Sequence, residues 1–160
     1  MVNPYRILFV CLGNICRSSA AEEVMRHQLI QSGLSELVEV DSAGLIDYHE
    51  GELPDSRMRQ HAKQRGYILT HLSRPIRRSD YEHFDLIIGM DDQNIQGLLR
   101  GTKNENERKK IHKMPEYFIH SDSPNVPDPY YGGASGFELV LDLLEDGCAG
   151  LLNEIRPQLS

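Results

Sequence analysis

The chain has 160 residues, a hydrophobic fraction of 39%, a charged fraction of 26% and a net charge of −7. This size suits a single domain over residues 1–160 with one substantial core. The acidic balance argues against nucleic acid or an anionic membrane surface as the main partner, so an anionic substrate must be drawn in by a local positive site.

Ile7-Leu8-Phe9-Val10 is a continuous apolar run, the pattern of a strand buried on both faces of a parallel sheet. A loop with Gly13 and Asn14 follows, then a predicted helix from about Ser18 to Ser32. There Ser19 and Glu22 have capping-box spacing, and Ala21, Val24, Met25 and Leu29 share one face. A second strand is predicted over Val38–Val40, ending near Asp41-Ser42-Ala43-Gly44, and a loop over residues 46–54. Asp55 to Arg65 reads as a helix stopped by Gly66, Leu86 to Met90 as a third strand, and Asp91 to Leu99 as a third helix. Residues 101–110 contain no apolar side chain and read as a solvated loop. A short strand is expected at Ile111–Met114, and residues 115–133, with four prolines, as a long ordered loop. Phe137, Val140, Leu141, Leu144, Cys148, Leu151, Leu152 and Ile155 keep helical spacing and predict a final helix.

Alternating strands and helices imply an α/β fold: three layers, with a central, mostly parallel four-stranded sheet and helices on both faces. Ligands of such sheets bind beyond the carboxyl ends of the strands, which puts Cys11, Ser42 and Asp91 on one edge. Three cysteines do not make a disulfide framework. The first five residues lack the regions of a signal sequence, and no apolar run approaches a membrane span. A cytoplasmic location is expected.

The stretch Cys11-Leu12-Gly13-Asn14-Ile15-Cys16-Arg17-Ser18 joins the first strand to the first helix. Its amides can turn inward as an anion cradle, reinforced by the positive end of the following helix. Gly13 and Asn14 suit the unusual backbone angles of such a loop. Arg17 can grip two phosphate oxygens with its planar fork. Cys11 sits at the mouth of the same positive field, which favours a thiolate nucleophile. A strand-terminal Cys is most often a small packed hydrophobe and a lone Arg a surface residue. Their combination with a buried strand, a Gly-Asn loop and a helix start is far more specific.

At this point the sequence resembles the low-molecular-weight protein tyrosine phosphatase family. CLGNICRS covers the phosphate loop, and Asp41-Ser42-Ala43-Gly44, Phe84-Asp85-Leu86-Ile87, Met90-Asp91 and Val126-Pro127-Asp128-Pro129-Tyr130-Tyr131-Gly132-Gly133 follow in order. The resemblance implies hydrolysis of phosphotyrosine in proteins in two steps. Cys11 attacks phosphorus, Arg17 and the loop amides hold the equatorial oxygens, and Asp128 protonates the leaving oxygen and then helps activate water. It further implies that Asn14 holds the loop shape with Ser42 and His71 as partners, and that Ser18 donates to the Cys11 sulfur. Leu12, Tyr48, Tyr130 and Tyr131 resemble walls flanking the substrate ring. Without the resemblance Asp128-Pro129 reads as a turn, no better than Asp122. Inorganic phosphate and vanadate are expected competitors. The family's usual Pro after the loop serine is Ser19 here, a change with little expected effect.

No histidine stands at metal-ligand spacing from another ligand residue, so no metal and no cofactor are expected. Arg74, Arg77 and Arg78 read as a solvated basic face, and Cys148 as core. Cys16 is either packing under the loop or a partner able to trap oxidised Cys11 as a disulfide. Arsenate reduction on the same scaffold would call for further cysteines after the third strand, and residues 82–110 have none. A phosphoarginine phosphatase of this kind typically has Thr in place of Ile15 and lacks the paired tyrosines. A non-enzymatic phosphate-binding module would be expected to lose Cys11 or Asp128.

Overall fold

The structure, a computed structural model, describes residues 3–129 and 133–159. Strands β1 (Tyr5–Cys11), β2 (Val38–Gly44), β3 (Leu86–Gly89) and β4 (Ile111–Lys113) form one sheet in the order β2-β1-β3-β4. All three pairings are parallel, so the sheet is wholly rather than mostly parallel. The helices are α1 (Arg17–Gln31), α2 (Ser56–Gln64), α3 (Arg78–His83), α4 (Asp92–Arg100), α5 (Glu105–Arg108) and α6 (Ala134–Ile155). Short 3-10 turns follow at Met114–Tyr117 and Arg156–Gln158.

The apolar run in β1 is explained by the two faces it covers. Ile7, Phe9 and Cys11 pack into a core with α1 and α6, including Val24, Met25, Leu141 and Leu144. Leu8 and Val10 point the other way, into a smaller cluster with Tyr81, Ile87 and Leu98. Alternate side chains of one strand therefore bind both outer layers together. The strand order reverses at β1, so the chain leaving β1 opens into the crevice where open parallel sheets hold ligands.

Several expectations are corrected. Residues 101–110 are not wholly a solvated loop: Asn104 caps α5 by accepting from the Glu107 amide, and buried Glu107 pairs with Arg78. The basic cluster is not a free solvated face either, because half-buried Arg74 is shared by Asp41 and Asp80. Residues 78–83 form a helix that their few apolar residues did not reveal. Within the proline-rich stretch, Met114–Tyr117 makes a 3-10 turn with Pro115 in its first positions, where its missing N–H costs nothing. The Ser19–Glu22 capping box does not form. Cys16 precedes α1 without a side-chain cap, Ser19 donates to the Cys16 carbonyl, and Glu22 faces Ser42.

Candidate active site

The loop between β1 and α1 has its carbonyls turned outward. Cys11 and Leu12 accept from the Leu45 amide at 3.0 and 2.9 Å, and Leu12 again from Ile46 at 3.1 Å. The Gly13 carbonyl accepts from Ser73 Oγ at 2.9 Å and that of Ile15 from the Asp55 amide at 2.8 Å. Among the described residues the amides of Leu12 through Cys16 donate to nothing. They join the unpaired amides of the first turn of α1 as donors for an anion.

Asn14 is buried, with φ at 59°, the one non-glycine in the left-handed region among the described residues. An Asn tolerates that conformation better than most residues, and here its amide repays the strain with bonds. Its nitrogen donates to Ser18 Oγ at 2.9 Å and Ser42 Oγ at 3.0 Å. Its oxygen accepts from the Arg74 amide at 3.0 Å and from His71 Nε2 at 3.1 Å. Nδ1 of His71 faces Glu22 at 3.2 Å and Asp41 at 3.5 Å. Gly13, expected to supply an unusual angle, does not lie at positive φ; a Cβ there would stand 3.1 Å from His49 Cδ2. Gly44 backs the loop, where a Cβ would come within 3.0 Å of the Leu12 carbonyl oxygen.

Cys11 Sγ lies 3.1 Å from Ser18 Oγ. Ser18 Oγ accepts from Asn14, and its single proton faces both the sulfur and the Ala43 carbonyl oxygen, the latter at 3.4 Å. Arg17 is 3% exposed. Its Nη1 donates to Asp91 at 2.6 Å and to the Val126 carbonyl at 2.9 Å, and its Nη2 lies 3.9 Å from Asp128. Burial opposes its charge, but Cys11, then Asp91 and Asp128, outweigh that and hold the guanidinium above its ordinary value. The Val126 amide in turn donates to the Met90 carbonyl at 2.8 Å, which pins the segment carrying Asp128 to the end of β3.

Cys11, Leu12, Gly13, Ile15, Cys16, Arg17, Tyr48 and Asp128 together line a cavity of about 330 Å³, with Ile46 and His49. Leu12 at 45% and Tyr48 at 78% exposure stand at its rim. Tyr130 and Tyr131 lie outside the described residues. From the sequence alone Glu22 reads as a helix cap and Asp91 only as a residue of the ligand edge, and neither Asp41 nor Ser73 has a role of its own. Only the family-like Asp41–Gly44 and Met90-Asp91 motifs hinted at some of them, and nothing signals Ser73. Spacing predicts no metal site, yet the fold brings ligand atoms of Glu22, Asp41 and His71 within 4.8 Å of one another. Their oxygens already accept from Ser42, Arg26 and Arg74, which makes the cluster an ion-pair network holding His71.

The model of the family described as low molecular weight phosphotyrosine protein phosphatase matches residues 6–160. A low molecular weight protein-tyrosine-phosphatase of Streptomyces coelicolor is 40% identical over 96% of this chain and 95% of its own. The solved structure of a protein tyrosine phosphatase from Entamoeba histolytica, with Hepes in its active site, is 45% identical with a TM-score of 0.94, covering 96% of this chain and 98% of that one. A Drosophila arginine phosphatase structure is 31% identical with a TM-score of 0.87, covering 94% and 97%.

Proposed function

Because this chain belongs to the low molecular weight phosphotyrosine protein phosphatase family, and so is a protein tyrosine phosphatase, we propose that it works through a phosphocysteine on Cys11. The observation that carries this reading is the placement of Cys11 beside Ser18 at 3.1 Å in a cavity also lined by Arg17 and Asp128. The Cys11 thiolate attacks phosphorus in line; the S–P bond forms as the P–O bond to tyrosine breaks. Asp128 gives its proton to the departing oxygen. The inward amides and the Nε–Nη2 edge of Arg17 hold the equatorial oxygens as charge redistributes. Asp128, now a carboxylate, then takes a proton from the attacking water, the S–P bond breaks, inorganic phosphate leaves, and the thiolate returns with Ser18 donating to it.

Asn14, Ser42 and His71 are positioning residues in this scheme, and Gly13, Ile15 and Cys16 shape the cradle. Leu12 and Tyr48 flank the ring, a role that extends to Tyr130 and Tyr131. The substrates are phosphotyrosine-containing proteins, with phosphate and vanadate as competitors. No metal or cofactor takes part, residues 1–160 act as one phosphatase domain, and a reducing cytoplasm suits the free thiols of Cys11, Cys16 and Cys148. No helix among the described residues is long and apolar enough to cross a membrane.

The test is rapid quenching during turnover of a radiolabelled phosphotyrosine peptide in excess chelator. Label should appear on the peptide containing Cys11 and vanish in Cys11→Ser. Chelator-sensitive turnover without a labelled cysteine would overturn the scheme. The likeness to the Drosophila arginine phosphatase raises phosphoarginine as a second substrate. Ile15, buried in the cavity wall, disfavours it by crowding a guanidinium-linked phosphate while packing beside a phenyl ring. Ile15→Thr should raise the ratio of phosphoarginine to phosphotyrosine turnover. An unchanged ratio would remove Ile15 from the selectivity argument.

A further inference from the structure

The cavity holding Cys11 has a neighbour. Leu12, Arg17, Ile46 and Asp128 line both, so the two share a wall. The second cavity, of about 610 Å³, runs along α4. Gln93, Gln96, Gly97 and Arg100 line it, and their spacing of three, one and three residues places them on a single helix face. Gly97 lets that face lie against Leu45, because a Cβ would stand 2.8 Å from Leu45 Cδ1. The stripe is exposed and polar, and it ends in a cation. Its other end is Asp91, which caps α4 and holds Arg17. At the rise of an α-helix, Arg100 lies about 13 Å beyond Asp91.

Among the described residues no carboxylate pairs with Arg100. Arg26, Arg65, Arg74 and Arg78 each face an acid, while Arg59 and Arg156, which like Arg100 face none among the described residues, bond the Pro54 carbonyl and Ser32 Oγ instead. In a chain of net charge −7, an unpaired guanidinium at the far end of a groove that starts at the phosphate clamp is a local attractor for anions.

We propose that this groove receives the peptide beside the phosphotyrosine, and that Arg100 selects substrates with an Asp or Glu about two to four positions from it. The proposal rests on the phosphatase reading above and names its substrate class. An extended peptide advances about 3.3 Å per residue, so about four residues span the stripe, and the arginine side chain reaches back over some of that distance. Gln93 and Gln96 offer amide donors and acceptors to the passing backbone. Asp91 and Asp128 lie at the near end, so an acid immediately next to the phosphotyrosine gains nothing, and the preference is confined to the more distant positions.

Peptides carrying one Glu, Ala or Lys at each position from four before to four after a phosphotyrosine distinguish the outcomes by kcat/KM. The parent should favour Glu over Lys by about twofold to fivefold at a position two to four residues away, the range of an exposed ion pair. That ratio should shrink at high salt. It should fall to near one in Arg100→Ala, invert in Arg100→Glu and persist in Arg100→Lys. A parent without charge preference, or a preference unchanged in Arg100→Ala and Arg100→Glu, overturns the subsite and leaves the phosphatase reading intact. A parent that turns over none of the peptides overturns both.

Discussion

The carbonyl oxygen of Val126 accepts from Arg17 Nη1 at 2.9 Å, across 109 positions of sequence. Arg17 and the segment that carries Asp128 are thereby one mechanical unit. Asp91 completes it, accepting from the same Nη1 at 2.6 Å while its other oxygen caps α4 through the Asn94 amide.

Asp91 can therefore be dissected. Asp91→Asn keeps a good cap but removes the charge facing Arg17. Melting temperature should change little, and kcat/KM for an aryl phosphate should drop about tenfold or more, the order of a charge-assisted hydrogen bond. Asp91→Ala should show the same kinetic loss plus about 1 kcal/mol of stability for the missing cap. Full activity in Asp91→Asn would mean that Arg17 needs no carboxylate to hold its fork in place.

Asp128→Asn should reduce turnover about 10²- to 10⁴-fold for a phenyl phosphate. The loss should be smaller for nitrophenyl phosphates, whose leaving oxygen needs less help. A plot of log kcat against leaving-group pKa checks this: the slope should steepen in the variant. Parallel slopes would place the proton donor elsewhere.

Asn14 combines a strained backbone with four hydrogen bonds. Asn14→Gly relieves the strain and loses the bonds, whereas Asn14→Ala loses the bonds and keeps the strain. Denaturant titration should find Ala less stable than Gly by about 1–2 kcal/mol, the cost of the left-handed region. Both variants should bind phosphate weakly, since nothing then orders the loop. If Asn14→Gly bound phosphate like the parent, the backbone alone would suffice to shape the cradle.

Alkaline pH should destabilise the fold. Burial first, then the charges of Asp55 and Cys11, push the Cys16 thiol up; burial does the same to Cys148. Burial followed by Glu145 raises the Tyr67 phenol, and burial followed by Glu116 raises that of Tyr117. Each acid holds its proton longer in the folded than in the unfolded chain. The stability they contribute is complete below the unfolded values, about 8.5 for Cys and about 10 for Tyr, and is lost as pH rises beyond them. Melting temperature should thus decline above about pH 8.5. Cys148→Ala should flatten the first part of that decline, and a flat profile to pH 10.5 in the parent would contradict the assignment.

The raised Cys16 thiol also bears on oxidation of Cys11. Peroxide converts the Cys11 thiolate to a sulfenic acid, and attack by Cys16 with loss of water gives a disulfide that dithiothreitol reopens. Because Cys16 holds its proton, trapping should quicken from pH 7 to 9, read as the yield of a Cys11–Cys16 peptide. Recovery after dithiothreitol should be large in the parent and small in Cys16→Ser. Equal recovery in both would leave Cys16 as packing alone.

The loop as a structural unit was legible because it is local. Cys11, Asn14, Arg17 and Ser18 sit within eight consecutive residues, and a buried strand before them and a helix after them fix where their backbone must turn. The β1 run and the α6 stripe were equally plain, since burial on both faces or on one helix face writes its period into the chain. The short helices α3 and α5 were not, because capping and ion pairs with distant residues hold them rather than an apolar stripe. Asp128 stood out from Asp122 only through resemblance. Which acids approach Arg17, which ring holds Asn14 and which serine turns the Gly13 carbonyl outward were decided by the parallel sheet. It carries the ends of β1, β2 and β3 to one edge, so residues 28 to 109 positions apart meet there by topology, and no local pattern encodes them.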